Sequence, residues 1–264
     1  MEEYVAYLEN DITRPQQQTY KILKKLNNEV KDNLRINVIS QETWLQYFQQ
    51  LWSHTIQPLE LPSSNNFSTD FISIDDLKMV FHKLKNNNTP EEDLINGELF
   101  KYSSQKFIQR FFYFLNLLWE GQQIPESWTK AVIIPIHKEG DLKKPDNYRG
   151  ISLLNSGYKI YSNILKNKLY TYYENILGEE QNGFRQGRSC CDGYFTLKLL
   201  IEKNREFNLE THIAFIDFKK AFDRVNRNKL LQILAQDQVP QQIIQNIYNI
   251  YKTNSIAVRR DSVL

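Results

Sequence analysis

The run Ala214-Phe-Ile-Asp-Phe-Lys-Lys-Ala-Phe-Asp-Arg-Val225 sets a carboxylate, Asp217, at the end of an apolar stretch. Lys219 and Lys220 follow at once, then Phe222 and a second acid, Asp223. A carboxylate at the mouth of a strand suits Mg²⁺ held against nucleotide phosphates, because hard divalent cations take oxygen ligands and clamp phosphoryl groups. The turn that follows can aim backbone N–H groups at an anion. Phe222, one turn on, would wall a small pocket. The alternative for Asp217 is a helix cap or a satisfied turn residue. Asp223, on a helical turn, is expected to point away from Asp217 and to be structural.

Two other constellations carry charge suited to anions. Lys138 lies just after the run Ala131-Val-Ile-Ile134 and Ile136; Arg149 lies just inside Tyr148-Arg-Gly-Ile-Ser-Leu-Leu154. If the runs pair, both cations reach one anionic ligand, Arg as a planar fork and Lys as a point charge. The alternative is two solvated strand-edge charges that oppose aggregation. His137 reads as a surface residue. The loop Gln181-Asn-Gly-Phe-Arg-Gln-Gly-Arg-Ser189 holds two glycines with Arg185 and Arg188. That composition cradles a nucleic-acid phosphate, or simply makes a turn before a helix. No Gly-x-x-x-x-Gly-Lys-Ser/Thr, Gly-x-Gly-x-x-Gly, His-Glu-x-x-His or Cys-x-x-Cys occurs, so common NTPase, dinucleotide and zinc chemistry has no support.

Positioning these groups takes strands, turns and helices in a set order. Residues 212–218 read as a strand, with helices over 228–236 and 241–252 and a last strand over 255–260. The two apolar runs form a β-hairpin with the long basic tip Lys138–Asn147. A helix is predicted from about Tyr158 to Leu177, closed by Gly178, and another from about Asp192 to Phe207. Ser73-Ile-Asp-Asp76 has the form of a capping box, opening a helix with Ile74, Leu77, Val80, Phe81 and Leu84 inward. Phe107, Phe111, Phe114, Leu115 and Leu118 make a helical core stripe that stops near Gly121. Trp44, Tyr47, Phe48, Leu51 and Trp52 recur at helical spacing behind a cap at Ser40, and Gln17–Lys31 reads as a polar helix. Residues 57–70, with Pro58, Pro62 and Ser63-Ser-Asn-Asn-Phe-Ser-Thr69, read as a loop or linker and mark the domain boundary.

The 264 residues can bury a sizeable core in one large or two small domains. Nine glycines argue against a Gly-rich all-β design. A net charge of +2 gives no global basic field, but Trp128–Cys190 holds ten Lys/Arg against six acids. That excess fits a phosphate-facing surface or a solvated face. Adjacent Cys190 and Cys191 rarely bridge each other and show no metal spacing, so a reducing, intracellular setting (cytoplasmic or nuclear) is expected. The acidic start is no signal peptide, and no run approaches the ~18 apolar residues that span a bilayer, so no membrane partner is expected.

Four blocks then stand in order: Trp128–Asp141, Asn147–Asn155, Gln181–Ser189 and Phe215–Val225. Together they resemble the fingers and early palm of the reverse transcriptase of non-LTR (LINE-type) retrotransposons, over roughly Ile72 to the end. The resemblance implies an α+β fold, an incomplete right-hand polymerase preceded by a helical N-terminal segment. Its parts would be a helical extension and linker over 1–70 and a partial reverse transcriptase over 71–264, with fingers over 71–210 and the start of the palm over 211–264. It implies that Asp217 is the catalytic, metal-binding aspartate, with the Phe218 carbonyl as partner ligand. Lys220 and Ala221 would meet the dNTP triphosphate through backbone groups, Phe222 would exclude a 2′-hydroxyl, and Lys138 and Arg149 would clamp the triphosphate. Mg²⁺ or Mn²⁺ is the implied cofactor; an RNA template, a DNA primer and dNTP are the implied partners.

The chain departs from the family in two places. Family members usually carry Pro-Gly-x-Asp-Gly where this sequence has Thr89-Pro-Glu-Glu-Asp-Leu-Ile95, and both glycines are gone. No Asp-Asp pair follows Asp217, whereas the family holds its other metal-binding aspartates on a later Ala-Asp-Asp turn. The expectation is a truncated segment, inactive alone, marginally stable and prone to aggregate. The alternative is a non-catalytic nucleic-acid-binding remnant that keeps the basic hairpin.

Overall fold

Residues 39–52, 58–66, 71–86, 93, 95–174, 176–252 and 254–258 are described by a computed structural model. The Gln17–Lys31 stretch and most of Thr89–Ile95 lie outside them. The helices are α1 (Gln41–Leu51), α2 (Ile74–Lys83), α3 (Gly97–Lys101), α4 (Gln105–Trp119), α5 (Glu126–Thr129), α6 (Ser156–Tyr173), α7 (Cys190–Glu206), α8 (Arg227–Gln236) and α9 (Gln241–Lys252). The strands are β1 (Lys130–His137), β2 (Tyr148–Leu153) and β3 (Ser255–Val258), in the order β2-β1-β3. The chain is therefore a mixed α/β fold with a small sheet. None of the described helices is long and apolar enough to cross a membrane.

Local chemistry starts the helices. The Ser40 hydroxyl oxygen accepts from the Thr43 amide at the head of α1. Ser73 and Asp76 form the capping box that heads α2: the Asp76 amide donates to Ser73 Oγ and the Ser73 amide donates to Asp76 Oδ2. Burial pushes the Asp76 carboxyl up, but the Ser73 hydrogen bonds and the Lys168 ammonium 3.5 Å away outweigh it, and the net shift is downward. A carboxyl lowered in the folded state stabilises the fold above its unfolded value and loses that contribution as pH falls through the lower folded value. Asp76→Ala is expected to cost about 0.5–2 kcal/mol at pH 7 and progressively less below pH ~4. Urea midpoints of the two proteins at pH 7 and pH 3 check this; an equal gap at both would refute it.

The main core is helical. Leu77, Leu115, Ile160, Leu231 and Ile244 are wholly buried where α2, α4, α6, α8 and α9 meet. One polar knot lies inside it. The Tyr161 hydroxyl donates to Asn246 Oδ1 at 2.7 Å, and Asn246 Nδ2 donates to the Trp119 and Gln242 carbonyls. Burial pushes the Tyr161 phenol well up, so it stays a neutral donor. Gly157, at the start of α6, leaves room for the Trp128 indole; a Cβ there would overlap the ring.

A second, smaller core joins α1 to the sheet. Trp44 and Phe48 stack with centroids 5.7 Å apart, and Trp44 meets Tyr148 edge-on at 5.1 Å. Ile133, Tyr148 and Gly150 share the face of the sheet beneath them. β1 pairs antiparallel with β2, placing Ile136 opposite Arg149, and parallel with β3, placing Val132 opposite Ala257.

One predicted strand is absent. Residues 212–218 are irregular and unpaired, with Phe215 86%, Ile216 82% and Phe218 76% exposed. Strand propensity needs a neighbouring backbone and a covering face, and among the described residues neither is offered to this segment. The same openness extends to α7, none of whose residues is buried; Tyr194 and Phe195 face solvent.

Candidate functional site

The sharp turn after Phe218 is the centre of the site. Lys220 takes a left-handed backbone (φ +53°), and Ala221 returns to the right-handed region (φ −48°, ψ −50°). A left–right pair of this kind points successive N–H groups into one concavity, the geometry that grips anions. Among the described residues nothing accepts from the Lys220 or Ala221 amide. A non-glycine residue at positive φ is strained by about 1 kcal/mol, so the surroundings must hold it there.

Those surroundings come from far along the chain. The Lys220 ammonium lies 4.4 Å from the Tyr47 ring centroid and 3.3 Å from Asp146 Oδ1. The Lys219 ammonium binds the other oxygen of Asp146, and the Tyr47 hydroxyl donates to Asp146 Oδ1 at 3.0 Å. Asp146 sits on the 3₁₀ turn Pro145–Asn147 at the hairpin tip. That tip is tied internally: the Asn147 amide group donates to the Asp141 carbonyl, and Gly140 supplies the left-handed turn (φ +83°). Burial pushes the Lys220 ammonium's pKa down, the Asp223 carboxylate only partly opposing it and Arg224 adding to it.

Asp217 is exposed, and among the described residues it has no hydrogen-bond or ion-pair partner. Its carboxylate is open to a ligand. Asp223 instead accepts from the Trp52 indole N–H at 3.3 Å, which anchors the far end of the turn to the C-terminal end of α1. Phe222 is 81% exposed and meets Phe184 edge-on, with centroids 5.9 Å apart. With Asp223, Trp52, Trp128, Arg227 and Tyr251, Phe222 lines a cavity of about 520 Å³.

The hairpin presents its two cations on one face. Arg149 pairs with Ile136, and Lys138 follows Ile136 by two positions, so the pleat sends both side chains the same way. The ladder extends one step past β1, the Lys138 amide donating to the Asn147 carbonyl at 2.8 Å. Lys138 stays largely open beside Glu139, 3.7 Å away.

The arginine loop serves the fold. Arg185 is buried, with Nε on Glu174 Oε1 (3.3 Å), Nη1 on the Gly178 carbonyl (2.8 Å) and Nη2 on the Glu174 carbonyl. Its guanidinium closes the C-terminal end of α6, where free carbonyls need donors. The Tyr170 hydroxyl and Arg185 together hold the Glu174 carboxyl below its ordinary range. Arg188 pairs with Glu179. Both guanidiniums, expected from the sequence to meet a nucleic-acid phosphate, face protein carboxylates here.

Among the described residues no three His, Cys, Asp or Glu side chains converge on a metal position. Asp217 and the Phe218 carbonyl offer two hard oxygen donors, short of the octahedral set that Mg²⁺ takes. By themselves they do not make a metal centre. Sequence reasoning missed four contributors: Asp146, Tyr47, Trp52 and Phe184. Phe184 lay in a singled-out loop, Asp146 in the hairpin tip, and Tyr47 and Trp52 in a helical stripe, but no local pattern showed that they meet the turn.

The geometry joins the hairpin, the Gly-Arg loop and the turn into one region. A family model described as "Reverse transcriptase (RNA-dependent DNA polymerase)" matches residues 136–262, a span that takes in the hairpin from Ile136 onward, the Gly-Arg loop and the turn. The chain is 28% identical over 197 residues (72% of its length) to the probable RNA-directed DNA polymerase from transposon BS of Drosophila melanogaster. It is 29% identical over 177 residues (63%) to the RNA-directed DNA polymerase from mobile element jockey of the same organism. A third relative, an uncharacterized 149 kDa protein of transposon TX1 from Xenopus laevis, is 25% identical over 188 residues (71%). Over these spans the chain is similar to the reverse transcriptases of non-LTR retrotransposons. It spans 14–22% of the length of these three relatives. The matched span starts inside β1, so α1, which carries Tyr47 and the capping residue Trp52, lies upstream of it.

Proposed function

We propose that this segment is the fingers and the start of the palm of a right-hand polymerase that copies an RNA template into DNA from a primer 3′-hydroxyl. The observation that carries the reading is the meeting of the hairpin tip with the turn behind Asp217, through Asp146, Lys219 and Lys220. In the extension step the N–H groups of Lys220 and Ala221 bind triphosphate oxygens, and Lys138 and Arg149 close over them from the hairpin. Two divalent ions, Mg²⁺ or Mn²⁺, would activate the 3′-hydroxyl and stabilise the leaving pyrophosphate when bound. Asp217 and the Phe218 carbonyl would furnish part of their ligand set. No Asp-Asp pair follows Asp217 in these 264 residues, so the segment alone is expected not to incorporate dNTP.

The test is primer extension by a polymerase in which this segment replaces the aligned span of the jockey relative, with oligo(dT) on poly(rA), Mg²⁺ and dTTP. Template-dependent extension is expected; none, with intact folding, would overturn the reading. Phe222 adds a sharper outcome. Its ring would lie under the sugar and meet a 2′-hydroxyl, so Phe222→Val is expected to raise ribonucleotide incorporation relative to dNTP by about 10- to 100-fold. The side chain is 81% exposed, so folding is not at stake. Unchanged sugar discrimination in that variant would remove Phe222 from the role.

A further inference from the structure

We infer that Asp146 is the resident competitor of a polyphosphate site formed by Lys219, Lys220 and the Lys220–Ala221 amides, and so sets which anions can occupy it. This rests on the nucleotide-binding reading above and adds a residue and a threshold to it. The two Asp146 oxygens each bind one ammonium, Oδ1 that of Lys220 and Oδ2 that of Lys219. A pair of phosphate oxygens would take the same places. One carboxylate against two ammoniums leaves the cluster net positive, and the turn amides still lack an acceptor among the described residues. The site is therefore half satisfied by the chain's own carboxylate.

Displacement is easy on one side and organised on the other. Asp146 and Lys219 are about half and nearly two-thirds exposed (49% and 63%), so water can take over their bonds. Exposed pairs of this kind add little stability. Lys220 is held by the Tyr47 ring, its side chain 17% exposed, and keeps its position when Asp146 leaves. Asp223 and Arg224 also face Lys220, and neither reaches the Asp146 carboxylate by a direct bond among the described residues. The Tyr47 hydroxyl bond biases Asp146 toward the closed position. A ligand must open that contact, and its apparent affinity falls by the closed fraction. The penalty is the same for every anion. Weak ligands such as orthophosphate then drop below useful occupancy, while a triphosphate, with more oxygens for the amides, still binds.

The experiment is calorimetric titration of inorganic tripolyphosphate, without divalent metal and at low salt, into the full chain. Four proteins are compared: wild type, Asp146→Asn, Tyr47→Phe and Glu202→Gln. The last removes an equal charge from α7, where Glu202 pairs with Lys198. Asp146→Asn is expected to tighten binding about 3- to 10-fold, the scale of releasing two largely exposed ion pairs. Tyr47→Phe, which keeps the ring but frees the carboxylate, should tighten it about twofold, and Glu202→Gln by less than that. If wild type binds and Asp146→Asn binds equally or more weakly, Asp146 is a clamp that positions the lysines: the competitor inference falls while the nucleotide site stands. If none of the four proteins binds tripolyphosphate, both fall.

Discussion

In a polymerase carrying this segment in place of the aligned span of the jockey relative, Asp217→Ala is expected to lower nucleotide incorporation by on the order of 10³-fold or more, equivalent to ~4 kcal/mol of transition-state stabilisation. The size follows from the role: a carboxylate that seats a catalytic cation has no substitute in an alanine methyl. The test is clean because of where Asp217 sits. It is exposed and unpartnered among the described residues, so its loss is expected to change stability by less than about 0.5 kcal/mol. RNA affinity should hold or rise slightly, since a negative charge leaves the surface. Primer extension, thermal melting and salt-dependent RNA binding on one preparation separate the outcomes. Activity within tenfold of wild type would sink the assignment. Persistent RNA binding with no extension in the wild type as well would favour a binding remnant.

The largest expected effect on folding is at Ile160. It is fully buried on α6, the helix that α2 and α9 pack against. Ile160→Ala removes three carbons from a close-packed site and is expected to cost about 2–5 kcal/mol, depending on how far the neighbours relax. Domains of this size have only ~5–15 kcal/mol in total. This segment leaves Phe215, Ile216, Phe218, Tyr194 and Phe195 open, so it belongs at the low end and should self-associate through that surface. The urea midpoint is expected to fall by about 1–2 M with an unchanged slope. Phe215→Ser is the matched contrast: at 86% exposure it should leave the midpoint alone and reduce aggregation. A midpoint loss from Phe215→Ser as large as that from Ile160→Ala would mean that 212–218 is covered in solution.

Much of the fold was legible because short-range signals drew it. Ser73-Ile-Asp-Asp76 read as a capping box and forms one. The apolar runs around Ile134 and Ile151 read as a hairpin and pair as one. The stripe from Phe107 to Leu118 read as a buried helix face, and α4 buries Leu115 and Leu118 while Phe107 stays 42% exposed at its edge. The predicted strand at 212–218 failed because apolar alternation records readiness to pair, and pairing needs a second backbone.

The site divides along the same line. The sequence by itself determined the chemistry on offer: an acid after an apolar run, two lysines and an aromatic in the next turn, two cations flanking a hairpin. Only the tertiary structure decided which charges meet. Asp146 reaches Lys219 across 73 positions, and Trp52 reaches Asp223 across 171. It also gave Arg185 to the end of α6 instead of leaving it open. Periodicity and propensity act over a few residues, whereas a contact between distant carboxylate and ammonium is fixed by how α1 and the hairpin pack, and no local pattern encodes that.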